Sequence, residues 1–204
     1  MERDISVVVF DFGNVLAKVD RLKICSHLAV HSPFNAEEIC KRIYGTDIEY
    51  DSETGRYDSR EHFRRIKERI DGEKNWTYEE FRDEFKDGFE RNKDGEKALI
   101  YASKYARVFV LSNTTYLHSL YLFEQEILAT IPELFVFSYK VGVMKPDKRI
   151  WERMCEMGRV KPEDCLYIDD VKEYCDVASN LGFSVIHYNF REMKLVDELK
   201  KWLG

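Results

Sequence analysis

The run Val7-Val8-Val9-Phe10, followed at once by Asp11, constrains this chain more than any other stretch. An unbroken apolar, β-branched run is the pattern of a strand buried on both faces of a parallel sheet. Asp11 stands where that strand should end, and Gly13 and Asn14 suit the tight turn that leaves it. In open α/β sheets ligands gather outside the carboxyl ends of strands, so a carboxylate there faces a site rather than the core.

The 204 residues suffice for one large domain, or for a core domain carrying a smaller insert. A formal net charge of -6 argues against general nucleic-acid or anionic-membrane binding, because no basic excess exists to release counterions. It leaves room for an anionic substrate, which needs only local positive potential. Cys25, Cys40, Cys155, Cys165 and Cys175 form no Cys-x-x-Cys pair. Their odd number favours reduced, mostly buried thiols in a cytoplasm over a disulfide framework or a zinc site. Met1 to Ile5 is too short and too acidic for a signal peptide, and no segment reaches the length needed to cross a bilayer. The expectation is a cytoplasmic protein with no nucleic-acid or membrane partner; the sequence leaves the oligomeric state open.

After the first strand the pattern changes. From about Ala17 to Asp94 the apolar positions recur at helical spacing, as in Leu22, Cys25, Leu28, then Phe63, Ile66, Ile70, then Phe81, Phe85, Phe89. Asn35 and Thr77 each stand three residues ahead of a glutamate, the signature of a helix start, and Asp58-Ser59-Arg60-Glu61 reads as another. The region predicts about four helices joined by polar loops such as Asp47 to Arg56, with Phe63, Phe81, Phe85 and Phe89 in their core. A block of that size is too large for a strand-to-helix connection and reads as an inserted helical cap over 17–94, between core segments 1–16 and 95–204.

From Ala98 the α/β rhythm returns. Strands are expected at Arg107–Leu111, Leu134–Ser138, Cys165–Ile168 and Ser184–His187. Helices are expected at about Glu96 to Tyr105, over His118 to Leu128, from Pro146 to Met157 with the proline in its first turn, up to Gly182, and from Leu195 to Leu203. The fold class is therefore α/β, with a parallel sheet and a helical insert after its first strand.

Distinctive polar residues fall at separate strand ends: Asp11, Ser112-Asn113, Lys145 just beyond the third strand, and Asp169-Asp170. With parallel strands and right-handed crossovers these ends lie along one edge of one sheet. That edge offers a carboxylate able to attack, a hydroxyl with free helix-start N–H groups, a cation and an acidic pair. Such N–H groups and hydroxyls bind phosphate oxygens, Lys145 neutralises a phosphoryl group, and carboxylates from two strands can hold Mg²⁺.

The ordered set Asp11 in Phe-Asp-Phe-Gly-Asn-Val-Leu, Ser112 in Val-Leu-Ser-Asn, Lys145 in Val-Gly-Val-Met-Lys-Pro-Asp and Asp169-Asp170 in Tyr-Ile-Asp-Asp resembles the motifs of the haloacid dehalogenase (HAD) superfamily. The insert resembles the cap of its subfamily I. The wording around the motifs is similar to that of α-D-glucose-1-phosphate phosphatase-like proteins and of the amino-terminal phosphatase domain of soluble epoxide hydrolases. The resemblance implies a Rossmann-like HAD core and a Mg²⁺-dependent phosphatase acting on a small phosphorylated metabolite. Asp11 would be the nucleophile that becomes an aspartyl-phosphate. Asp11, the Gly13 carbonyl and Asp170 would hold the metal, with Asp169 orienting Lys145 or a metal-bound water. Ser112 and the Asn113 backbone would grip the phosphate while Lys145 stabilises charge on the nucleophile and the transition state. Mg²⁺ and Lys145 together should keep Asp11 ionised at neutral pH.

The sequence departs from the pattern at one position. Most phosphatases of this superfamily carry a second Asp two residues after the nucleophile, acting as general acid and base; here Gly13 stands there. General acid–base catalysis typically supplies ~10²–10⁴-fold, equivalent to about 3–5 kcal/mol of barrier. An anomeric oxygen is a more acidic leaving group than an ordinary alcohol, so sugar 1-phosphates would lose least from the missing acid. The same departure supports a second reading, a catalytically impaired phosphate-binding or regulatory protein. A third, a metal-independent 2-haloacid dehalogenase, shares the strand-end nucleophile but has no use for a cation-binding acidic pair. His118 reads as a core or solvent histidine, and Tyr44, Tyr50 and Tyr57 as cap aromatics that either close over a substrate or, in the case of Tyr44, pack between helices.

Overall fold

The structure is a computed structural model that describes residues 4–204; residues 1–3, part of the segment read as too short for a signal peptide, lie outside the described residues. Along the chain come β1 (Val7–Phe10), β2 (Ala17–Val19), α1 (Arg21–Leu28), α2 (Ala36–Ile43), α3 (Asp47–Glu53), α4 (Ser59–Arg69), α5 (Tyr78–Lys86) and β3 (Phe89–Arg91). There follow α6 (Lys93–Ala102), β4 (Arg107–Ser112), α7 (Tyr116–Glu124), α8 (Glu126–Thr130), β5 (Leu134–Phe137) and α9 (Ser138–Val141). The chain closes with α10 (Arg149–Gly158), β6 (Cys165–Asp169), α11 (Lys172–Asn180), β7 (Ser184–His187) and α12 (Leu195–Leu203).

The main sheet is parallel throughout, in the order β5-β4-β1-β6-β7. β1 lies at its centre, and the period of a strand splits its residues between two cores. Val8 and Phe10 face one apolar layer together with Val110, Leu166 and the α12 residue Leu199. Val7 and Val9 face the other, with Phe109, Tyr167 and the α10 residue Trp151. Burial on both faces accounts for the unbroken Val-Val-Val-Phe run.

Helices α1–α5 gather around a third cluster that includes Ile24, Ile39, Ile66, Phe81 and Phe85, and Leu117 of α7 plugs into it. Both capping boxes form: Asn35 with Glu38 at α2, and Thr77 with Glu80 at α5. The Asp58 carboxylate accepts from Arg60 and Glu61 N–H groups at the start of α4. No helix among the described residues is long and apolar enough to cross a membrane.

Several expectations need correction. The stretch read as a polar loop from Asp47 to Arg56 holds α3, whose start is capped by Thr46 accepting from Ile48 N–H. Only Ile48 and Tyr50, two residues apart, interrupt its acidic and polar residues, so no helical period shows. The short strands β2 and β3, paired antiparallel with Ala17 opposite Arg91, flank the helical block and are too brief to display alternation. Phe89 belongs to β3 rather than the helical core, stacking on Phe12 at 5.5 Å. The helical stretch expected to contain His118 to Leu128 divides at Gln125 into α7 and α8. Helix α10 starts at Arg149 rather than Pro146, because Asp147 N–H closes a turn onto Met144 and the Asp147 carboxylate accepts from Arg149 N–H. Cys25 and Cys40, expected as thiols, form a disulfide between α1 and α2. Packing of the two helices brings their Cα atoms to 5.8 Å, which linear spacing does not reveal. Cys155, Cys165 and Cys175 are free.

The exit from β1 is held by α6. Asn92 donates to the Val15 carbonyl at 2.8 Å, and Gly95 lies so close that a Cβ would stand 2.1 Å from the same oxygen. Gly95→Ala would gain up to about 1 kcal/mol of helix propensity, but the obstacle is backbone and cannot swing away. Overpacking of this kind costs about 1–3 kcal/mol. Net destabilisation is therefore expected, read as a lower urea midpoint with an unchanged denaturant slope.

Candidate active site

Parallel pairing sets Phe10 beside Val110 and Ile168, so the residues that follow these strands emerge at one edge. There a cavity of about 480 Å³ opens between the sheet and the helical block. Asp11, Gly13, Ser112, Asn113, Lys145 and Asp170 all line it, so the separated segments converge as the sequence required. Asp169 is fully buried behind that wall.

Lys145 is the hub. Its Nζ stands 2.8 Å from Asp11 Oδ1 and 2.6 Å from Asp169 Oδ2, and the side chain is 1% exposed. Both Asp169 oxygens are engaged: Tyr167 Oη also donates to Oδ2, and Val171 N–H donates to Oδ1 at 2.8 Å. Burial alone would lower the affinity of Lys145 for its proton, but Asp11 and Asp169 together reverse the shift and hold it charged. Burial pushes the Asp11 carboxyl up, with Lys145 pulling the other way and the neighbouring carboxylates of Asp169 and Asp170 adding to the rise. Burial likewise raises Asp170, against a hydrogen bond from Asn14 Nδ2 at 2.9 Å.

The side chain of Asn113 has a use that sequence reasoning missed. It donates to the Lys145 carbonyl at 2.8 Å and accepts from the Lys145 N–H at 2.7 Å, clamping the backbone that carries the lysine. Ser112 Oγ donates only to the Asn113 carbonyl at 3.2 Å and is 1% exposed. Asn14, in the left-handed region at φ 55°, bridges Asp170 to the Val19 N–H through its amide. His118 lines the cavity but is buried against Phe85, at a ring separation of 4.5 Å, and burial pushes it down to about 3. It is neutral at physiological pH and has no proton to give.

The helical block contributes Arg21, Tyr44, Glu49 and Glu53 to the cavity. Tyr44 thus faces the site, whereas Tyr50 is exposed and Tyr57 donates to the Ile48 carbonyl at 2.5 Å. Glu49 and Glu53 went unread because they lie in the stretch taken for a loop; their spacing of four, which puts both on one helical face, was the available signal.

Asp11, Asp169 and Asp170 each offer a ligand oxygen within 4.8 Å of the others. With both Asp169 oxygens bonded within the protein and its side chain buried, the more accessible donors are Asp11, Asp170 and the Gly13 carbonyl, which accepts no hydrogen bond among the described residues. Hard oxygen donors from two strand ends fit a Mg²⁺ that keeps several waters. Replacing Lys145 by Met should leave two buried carboxylates unpaired, a loss of about 3–5 kcal/mol. Urea denaturation at neutral pH checks this, and Lys145→Met with Asp169→Asn should recover part of the loss.

No family model matches the sequence. Among solved structures, the chain is similar to a HAD family enzyme from Bacteroides thetaiotaomicron in complex with magnesium and inorganic phosphate, with TM-score 0.82 and 20% identity over 93% of this chain and 96% of that one. A predicted HAD-like family hydrolase from Porphyromonas gingivalis matches with TM-score 0.83 and 23% identity over 97% of both chains. L-2-haloacid dehalogenase from Xanthobacter autotrophicus, with chloropropionic acid covalently bound, matches with TM-score 0.66 and 18% identity over 89% of this chain and 76% of that one. The architecture of this chain is therefore that of the HAD enzymes, a parallel α/β core with a helical block set over the carboxyl edge of its sheet.

Proposed function

We propose that this protein is a Mg²⁺-dependent phosphatase that hydrolyses a small phosphorylated metabolite through an aspartyl-phosphate. The observation that carries this reading is the cluster of Asp11, Asp169 and Asp170 oxygens within 4.8 Å of one another, with Lys145 bonded to two of the three. A carboxylate nucleophile for halide displacement needs one acid and a cation; a second acidic strand end beside it serves a metal. The magnesium and phosphate in one structural neighbour support the same reading.

Helices α1–α5 serve as the cap over the site, and a cavity of about 480 Å³ suits a compact substrate. Asp11 attacks phosphorus while Lys145 holds one of its oxygens and fixes the rotation of the carboxylate. The Ser112 hydroxyl, bonded only to its neighbour's carbonyl, turns to a phosphoryl oxygen. Lys145 remains charged throughout, because Asp169 behind it balances the cation when Asp11 is esterified. A Mg²⁺ held by Asp11, Asp170 and the Gly13 carbonyl would neutralise phosphoryl charge and bring the Asp11 carboxyl back to its ionised form. Asp169 positions Lys145 through a 2.6 Å bond and does not touch the substrate.

The test is phosphate release from 4-nitrophenyl phosphate. Hydrolysis should require Mg²⁺, stop with EDTA, and fall by at least ~10³-fold in Asp11→Asn, the scale expected when a nucleophile is removed. Phosphate binding without turnover would replace this reading with a regulatory one. Halide release from 2-chloropropionate, indifferent to EDTA, would replace it with a dehalogenase.

A further inference from the structure

We propose that Glu53, brought over the cavity by α3, is the proton donor to the leaving group and does the work that Gly13 cannot. The inference rests on the phosphatase reading above and deepens it. Gly13 leaves the core without an acid beside the nucleophile, and the polar core side chains nearest Asp11 among the described residues do not supply one. Asn14 cannot exchange a proton, His118 is neutral, and the acids Asp169 and Asp170 are committed to Lys145 and to the metal cluster.

Glu53 is 8% exposed and lines the same cavity as Asp11 and Lys145. Among the described residues its carboxyl has neither a hydrogen bond nor an ion pair, and it borders the cavity, where a substrate oxygen is the partner open to it. Its place is set from the core side. Two residues on, Gly55 takes φ +67° and presses on the Tyr139 backbone so closely that a Cβ would stand 2.0 Å from the carbonyl oxygen. That contact fixes the end of α3 above the sheet edge.

The charges around Glu53 favour its protonated form. From α1 comes Arg21, already paired with Glu49 at 2.9 Å. From its own helix comes Glu49, which repels a second negative charge. Tyr44 and Tyr174 face it as neutral phenols, and from the core come Asp11 and Lys145, bonded to each other. Every nearby cation is already balanced, so burial, reinforced by Glu49, pushes the Glu53 carboxyl up to about 8. An acid that holds its proton at neutral pH and gives it up near neutrality is suited to general catalysis.

The steps balance. As the Asp11–phosphorus bond forms and the bond from phosphorus to the leaving oxygen breaks, the Glu53 proton passes to that oxygen and releases an alcohol. The Glu53 carboxylate then takes a proton from a water molecule as the water oxygen bonds to phosphorus and the bond from phosphorus to the Asp11 oxygen breaks. Phosphate departs, leaving the Asp11 carboxylate and protonated Glu53 as they began. With this donor, alkyl phosphates become substrates alongside sugar 1-phosphates, whose leaving oxygen needs protonation least.

The experiment compares Glu53→Gln with wild type on a primary alkyl phosphate and on 4-nitrophenyl phosphate, with Mg²⁺ present. The expected loss is in kcat, not KM, and is at least ~10²-fold larger for the alkyl substrate, matching the scale of general acid catalysis. Wild-type turnover of the alkyl phosphate should decline as pH rises through about 8, and Glu53→Gln should lack that limb. A Cβ at Gly13 meets only Val19 at 3.5 Å and Asp11 at 3.9 Å, so Gly13→Asp is sterically admissible. Added to Glu53→Gln, it should restore alkyl-phosphate turnover, which a purely structural role for Glu53 would not allow. Equal losses on both substrates, a change confined to KM, or no change overturns the assignment to Glu53 while leaving the phosphatase intact. Absence of Mg²⁺-dependent hydrolysis in wild type overturns the phosphatase reading and this inference with it.

Discussion

A lysine buried between two carboxylates organises this molecule. Taking Lys145, Asp11 and Asp169 out of water costs several kcal/mol per ion, and each is tolerable only because the others are within hydrogen-bond distance. The requirement propagates outward. Tyr167 and the Val171 N–H also donate to the Asp169 carboxylate, one to each oxygen, and Asn113 clamps the backbone of Lys145 by donating to its carbonyl and accepting from its N–H. The three ions come from the ends of β1 and β6 and the turn before α10, so their pairing also holds that edge of the sheet in register. The same balance suits the proposed chemistry. Esterifying Asp11 removes one negative charge, and Asp169 keeps Lys145 from becoming an unpaired buried cation.

The helical block answers a different physical problem. A parallel sheet edge presents charged groups to water, and phosphoryl transfer is served by a drier, enclosed space. Helices α1–α5 enclose it while resting on their own apolar cluster, and Leu117 and Gly55 mark two places where the layers touch. In the proposed scheme the core supplies nucleophile, cation and phosphate grip. The cap supplies the proton that Gly13 lacks.

The strands and the site ends were legible because they rest on local rules. A run such as Val7–Phe10 can only be buried, and Asn35 with Glu38, or Thr77 with Glu80, announces a helix through bonds that span three residues. Errors fell where local pattern is thin. Helix α3 has seven residues with few apolar ones, β2 and β3 have three each, and the start of α10 depends on Asp147 rather than on the proline before it. Glu53 shared the fate of α3: assigned to a loop, it could not be placed over Asp11.

By itself the sequence determined the α/β rhythm, a helical stretch after the first strand and the placing of Asp11, Ser112 and Asp169 at strand ends, because periodicity and turn composition are properties of neighbours along the chain. Only the tertiary structure decided the pairing of Cys25 with Cys40, the clamp of Asn113 on Lys145 and the burial of Glu53 without a partner. Each of these depends on distances between segments far apart in sequence. Desolvation, which governs the proton affinity of Glu53, has no meaning until those segments close around it.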